Sequence, residues 1–195
     1  MATDFRLKDQ LPQITRRIVE TYHDHTEINH LDHCPLPKYD EVITAVCELT
    51  ELMFPGYRKR EGLHFGNVEY YVGELIDRLH DRLTRQIGRA LRHVAGATSQ
   101  CDGDGPVDYE ALGQAKTVQF LGRLPELRNI LATDVQAAYE GDPACQSPDE
   151  VIFCYPGLEA ITVYRLANLL HQLEIPFIPR MMCEWAHTRT GIDIH

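Results

Sequence analysis

The chain has 195 residues, 44% of them hydrophobic, and carries 19 Lys plus Arg against 29 Asp plus Glu for a formal charge of -10. That length suits one domain of ordinary size or two small ones. The acidic balance argues against nucleic acid as a partner, because a phosphate backbone needs a dense positive face. No apolar run reaches the roughly eighteen residues of a membrane span, and MATDFRLKDQ has no apolar signal core, so no membrane contact and a cytoplasmic location are expected.

Helical periodicity runs through nearly the whole chain. Leu11, Ile14, Ile18 and Tyr22 fall on one face of a first helix that fades near Asp24 to Thr26. INHLDHCPLP then reads as a connector, since Pro35 and Pro37 break a helix. His23, His25, His30, His33 and Cys34 cluster here, but not as the two spaced pairs of a zinc site, so no metal is assigned. Val42, Ile43, Val46, Leu49 and Met53 mark a second helix, ended by Pro55-Gly56.

A third and longest helix starts at Asn67 as a cap and carries Val68, Val72, Leu75, Ile76, Leu79, Leu83, Ile87 and Leu91. Its basic stretch, Arg78 to Arg92, is read as a solvated helix face rather than a polyanion site. GATSQCDGDGP, residues 96–106, has the composition of a linker.

Asp108 can cap a fourth helix through Leu112, Ala115, Val118 and Leu121, and a fifth runs from Pro125 with Leu127, Ile130, Leu131, Val135 and Ala138. GDPACQ is a turn; Ser147, Pro148 and Glu150 then form a helix-start signature. Pro156-Gly157 interrupts that helix, and a further one carries Leu158 to Leu170. A last helix holds Met181, Met182 and Trp185 as packing residues, with His187 and Arg189 near its end, and stops before Gly191. The fold class is therefore all-α, with about seven or eight helices and an extended or irregular GIDIH at the end. The six cysteines are scattered without a CxxC pair, as suits reduced thiols.

The segment DPACQSPDEVIFCYPGLEAITVYRLANLLHQLEIPFIPRMMCEWAHTRTGIDIH closely resembles serine O-acetyltransferases. INHLDHCPLP, MFPGY and LHFGNVEYYVGELIDRLHDRLTRQI resemble the long N-terminal extension of one bacterial branch of that family. The resemblance implies a helical extension over 1–95, a linker over 96–106, the acetyltransferase helical domain over 107–189, and the first residues of a left-handed parallel β-helix over 190–195. It also implies that the rest of that β-helix lies outside these residues. The implied reaction is attack of the serine hydroxyl on acetyl-CoA, giving O-acetylserine and CoA, with acetyl-CoA as co-substrate and no resident cofactor.

By motif, Asp193 in GIDIH corresponds to the carboxylate of the family's catalytic histidine–aspartate dyad. Asp142 in GDPA corresponds to the carboxylate that binds the substrate serine, where the ammonium needs a charge-assisted partner. His195 belongs to the DIH motif but not to the dyad, whose histidine lies further along. Two positions depart from the family: Asn168 stands where relatives read the histidine of YRIAH, and Gln146 where lysine is common. A homo-oligomer is expected, and a sulfhydrylase partner is left open. The alternative reading is a stand-alone helical oligomerisation module.

Overall fold

The structure, a computed structural model, describes residues 6–31, 33–58, 60–96 and 107–194. Among them it is all-α, with eight α-helices, two short 3-10 turns and no strand. The chain divides into two compact units, Met1–His33 and Cys34–His195.

The first unit is built on α1 (Leu11–Asp24), which follows the turn Arg6–Gln10. Leu11, Ile14, Ile18 and Tyr22 share one face as their spacing predicts, yet no residue of α1 is buried. The Asn29 side-chain amide closes the helix end by donating to the Tyr22 and His25 carbonyls at 2.6 and 3.0 Å. The rings of His30 and His33 stack 5.0 Å apart. No group of three or more His, Cys, Asp or Glu side chains is placed to hold a metal among the described residues.

The second unit contains α2 (Tyr39–Met53), α3 (Val68–Val94), α4 (Tyr109–Gly122), α5 (Leu124–Gly141), α6 (Pro148–Cys154), α7 (Pro156–Gln172) and α8 (Ile178–Thr190). Its main core joins Leu49 of α2, Leu79, Leu83 and Ile87 of α3, Phe120 of α4, Leu131 of α5, Leu170 of α7 and Met182 of α8. Met181 and Trp185 pack against this core, as expected of packing residues.

Two glycines set the approach of α3 to α4. A Cβ on Gly113 would lie 2.5 Å from the Thr84 carbonyl oxygen, and one on Gly88 would lie 2.9 Å from that of Tyr109. Only glycine lets two helix backbones touch this closely. Apart from Gly96, the expected linker over 96–106 lies outside the described residues. The helices on either side of it, α3 and α4, belong to the same unit.

Two sequence expectations are refined. Asn67 does precede α3, but its side chain does not cap the helix. It organises the preceding loop instead, accepting from the His64 amide at 2.9 Å and donating to the Gly62 carbonyl at 3.1 Å. The Arg78–Arg92 stretch is only partly a solvated face. Arg78 donates to Glu48 at 3.0 Å, and Arg82 pairs with Glu48 and Glu41, so this part of the run holds α3 to α2. Asp108 caps α4 as predicted, accepting from the amides of Glu110 and Ala111 at 3.0 and 2.9 Å.

Candidate functional site

Asp142 closes α5 with extended backbone angles, φ -115° and ψ 102°. A carboxylate at such a position can accept from the amide two residues on and so fold a tight turn. It does so here: Oδ1 accepts from the Ala144 amide at 2.9 Å, and the Asp142 carbonyl accepts from the Cys145 amide at 3.0 Å. Ser147 then starts α6, accepting from the Glu150 amide at 3.3 Å, while the Glu150 carboxylate accepts from the Gln146 amide at 2.9 Å. The departure at Gln146 thus leaves its backbone role intact.

The other oxygen of Asp142 is held by Tyr155. This residue caps α7, and its hydroxyl donates to Oδ2 at 2.5 Å. The Tyr155 hydrogen bond, then the Ala144 amide, hold the Asp142 carboxyl below its ordinary value. The same bond, with the neighbouring Cys145, pushes the Tyr155 hydroxyl up. Each carboxylate oxygen keeps a second acceptor site, so an ionised Asp142 can still receive an ammonium group. A small core of Val135, Val151 and Leu158 supports the turn, with Tyr139, Cys145 and Tyr155 packed against it.

The first turn of α7 connects this cluster to the end of α8. Glu159 accepts from Arg58 at 3.3 Å and from Arg189 at 3.2 Å, and its side chain is only 14% exposed. Arg189 also lies over the Trp185 ring, 5.1 Å from its centroid. It therefore does more than complement the helix dipole.

Gly191 ends α8 in the left-handed region, φ 71°, with its amide donating to the His187 carbonyl at 2.8 Å. The chain then leaves as irregular backbone, steadied by the Ile192 amide donating to the Thr190 hydroxyl at 3.1 Å. Asp193 is exposed on this segment. Its charge reaches Cys183: burial pushes that thiol up, Glu184 and Asp193 push it further, and Arg180 opposes them. Asn168, Cys183 and Ile194 line one groove of about 460 Å³ between α7 and α8. Asn168, the other departure from the family pattern, therefore lines a groove with Ile194, the residue after Asp193. His195 lies outside the described residues.

The two sequence-derived carboxylates thus lie on different segments, Asp142 in the α5–α6 turn and Asp193 beyond α8. Tyr155 was missed from sequence. The available signal was a tyrosine directly before the helix-breaking Pro156-Gly157, where a side chain is set at a helix start.

No family model matches the chain. A plasmid-encoded serine acetyltransferase of Synechococcus elongatus is 37% identical over 163 residues, which is 83% of this chain and 50% of that protein. A Synechocystis serine acetyltransferase is 45% identical over 67 residues, 34% of this chain and 27% of that protein. Among solved structures, Entamoeba histolytica serine acetyltransferase 1 in complex with L-cysteine superposes with a TM-score of 0.62 at 26% identity. That superposition covers 89% of this chain and 57% of that one. By sequence and by fold, the chain is a homologue of the serine acetyltransferases, and it spans about half the length of the longest-matching of these relatives.

Proposed function

We propose that the chain supplies the serine side of serine O-acetylation, in which L-serine and acetyl-CoA give O-acetyl-L-serine and CoA. Asp142 binds the serine ammonium, and Asp193 orients the histidine that removes the hydroxyl proton. The observation that carries this reading is the Asp142 carboxylate itself, ionised and fixed by Tyr155 and Ala144 before any ligand arrives. A prefixed acceptor sets the substrate's position without an ordering cost at the moment of binding. Acetyl-CoA acts as co-substrate. No helix among the described residues is long and apolar enough to cross a membrane.

The 195 residues hold the serine-side carboxylate and the dyad carboxylate, but neither the family's dyad histidine nor its hexapeptide repeats. A general base contributes a factor of roughly 10² to 10⁴, and positioning of acetyl-CoA can contribute more. These residues alone are therefore expected to give no serine-dependent CoA release.

The test joins residues 1–195 to the β-helix of a serine acetyltransferase. There Asp142→Ala should chiefly raise KM for serine, and Asp193→Ala should chiefly lower kcat. Normal kinetics in both variants would end the site assignment. The unburied stripe of α1 supports the expectation of a homo-oligomer. Ile14→Glu with Ile18→Glu should lower the mass measured by light scattering if α1 mediates it.

A further inference from the structure

Outside the carboxylate clusters, the described residues contain two buried side-chain polar atoms with no hydrogen-bond partner: Thr84 Oγ1 and Arg89 Nη1. Both residues line the same cavity of about 340 Å³, bounded by α3, the first turn of α4 and the Cys34-Pro35 segment. Thr84 is only 7% exposed. A buried helical threonine ordinarily satisfies its hydroxyl by donating to the carbonyl four residues back. Thr50, Thr117 and Thr162 do so here, at 2.8, 2.8 and 2.7 Å. Thr84 does not, and an unmade buried hydrogen bond costs stability.

Cations outnumber carboxylates on the wall of this cavity among the described residues. Arg85, Arg89 and Arg92 recur at helical spacing on α3 and all line it, against Glu110 of α4, while Asp81 and Asp108 border the adjoining cavity that Thr84 and Arg85 also line. Arg85 is anchored through Nε to the Asp81 carbonyl at 3.1 Å, and Arg92 lies over the Tyr109 ring. Arg89 forms no ion pair with a described carboxylate, in contrast to Arg78 and Arg82, about three and two turns earlier on α3. A half-buried guanidinium with an orphaned N–H is matched by an oxyanion, which accepts from its fork and from a hydroxyl together.

We infer that this cavity between α3 and α4 binds a small tetrahedral oxyanion of the phosphate or sulfate class, held by Arg89 and Thr84 in the field of Arg85 and Arg92. Bound there, the anion satisfies both orphaned donors. It stabilises the junction of α3 and α4 at the Gly88–Gly113 crossing.

The test is calorimetric titration of the whole chain with inorganic phosphate, sulfate and glycerol 3-phosphate, with sodium acetate at equal ionic strength as reference. Thermal unfolding is followed in the same solutions. Saturable binding of at least one tetrahedral anion, with a rise in Tm beyond acetate, is expected; the preferred anion identifies the source as free phosphate, sulfate or a phosphate monoester. Arg89→Gln should weaken that binding by roughly tenfold or more, since a charged hydrogen bond is lost. Thr84→Val keeps the side-chain shape and should fold at least as stably without anion, yet bind it several-fold more weakly. Glu110→Gln should act in the opposite direction and tighten binding about threefold. Equal responses to acetate and to every tetrahedral anion would overturn the assignment. So would wild-type binding by both Arg89→Gln and Thr84→Val.

Discussion

Asp142 and Asp193 are both short carboxylates beside a helix end, but the chain treats them differently. Asp142 has each oxygen engaged, one by the turn it begins and one by a tyrosine from the next helix but one, over a small core of its own. Asp193 rides on exposed, irregular backbone past a left-handed glycine, and its charge helps to raise the Cys183 thiol. A group that must receive a substrate ion gains from being rigid beforehand. A group that orients another side chain takes its final geometry with that side chain in place. The difference between the two sites fits the two tasks proposed for them.

The largest effect should come from removing the support beneath Asp142. Val151 is fully buried in the small core, so Val151→Ala should cost about 2 kcal/mol in urea unfolding. An unchanged midpoint would mean the turn does not depend on that core. Next, Gly191→Ala should cost about 1 kcal/mol, because alanine resists the left-handed angle. The loss should appear as faster hydrogen exchange in the last turn of α8, with the amides around Asp142 unaffected. Equal effects at both ends would contradict the separation of the two segments.

A finer probe is Tyr155→Phe, which removes the leading cause of the low Asp142 value. The carboxyl should titrate closer to its ordinary pKa, followed by carbon-detected NMR, while Tyr57→Phe at the exposed Asp149 contact serves as control. The sign for stability follows from linkage. A folded pKa below the unfolded value of about 3.9 favours the folded state above that pH. The benefit is lost as pH falls through the lower folded value, so the variant should lose less stability than wild type on acidification. The smallest effect is at the other carboxylate. Asp193→Asn removes one of the charges that raise the Cys183 thiol, so its alkylation should begin at lower pH. No shift would place Asp193 too far away to matter.

Helix positions were legible in the sequence because they depend on local physics. The Asp108 and Ser147 caps, the Pro156-Gly157 break and the Gly191 stop require only neighbours within a turn or so. Asp142 and Asp193 were found through motif resemblance, and local hydrogen bonding explains half of the Asp142 geometry. Tyr155 was not found, because its partner lies 13 residues away and across a helix.

The sequence by itself determined the all-α class, the amphipathic faces and the turn chemistry around Asp142, since each is set by spacing along one backbone. Tertiary structure decided the rest. α1 and α3 are both amphipathic by pattern, yet α3 is buried along Leu75, Leu79, Leu83 and Ile87 within its unit, while α1 buries no residue within its own. Within the single Arg78–Arg92 stretch, only packing separates arginines paired with α2 from those that line a cavity with α4. Burial and charge pairing depend on which surfaces meet, and here the meeting of α3 with α4 rests on two glycines 25 residues apart, Gly88 and Gly113.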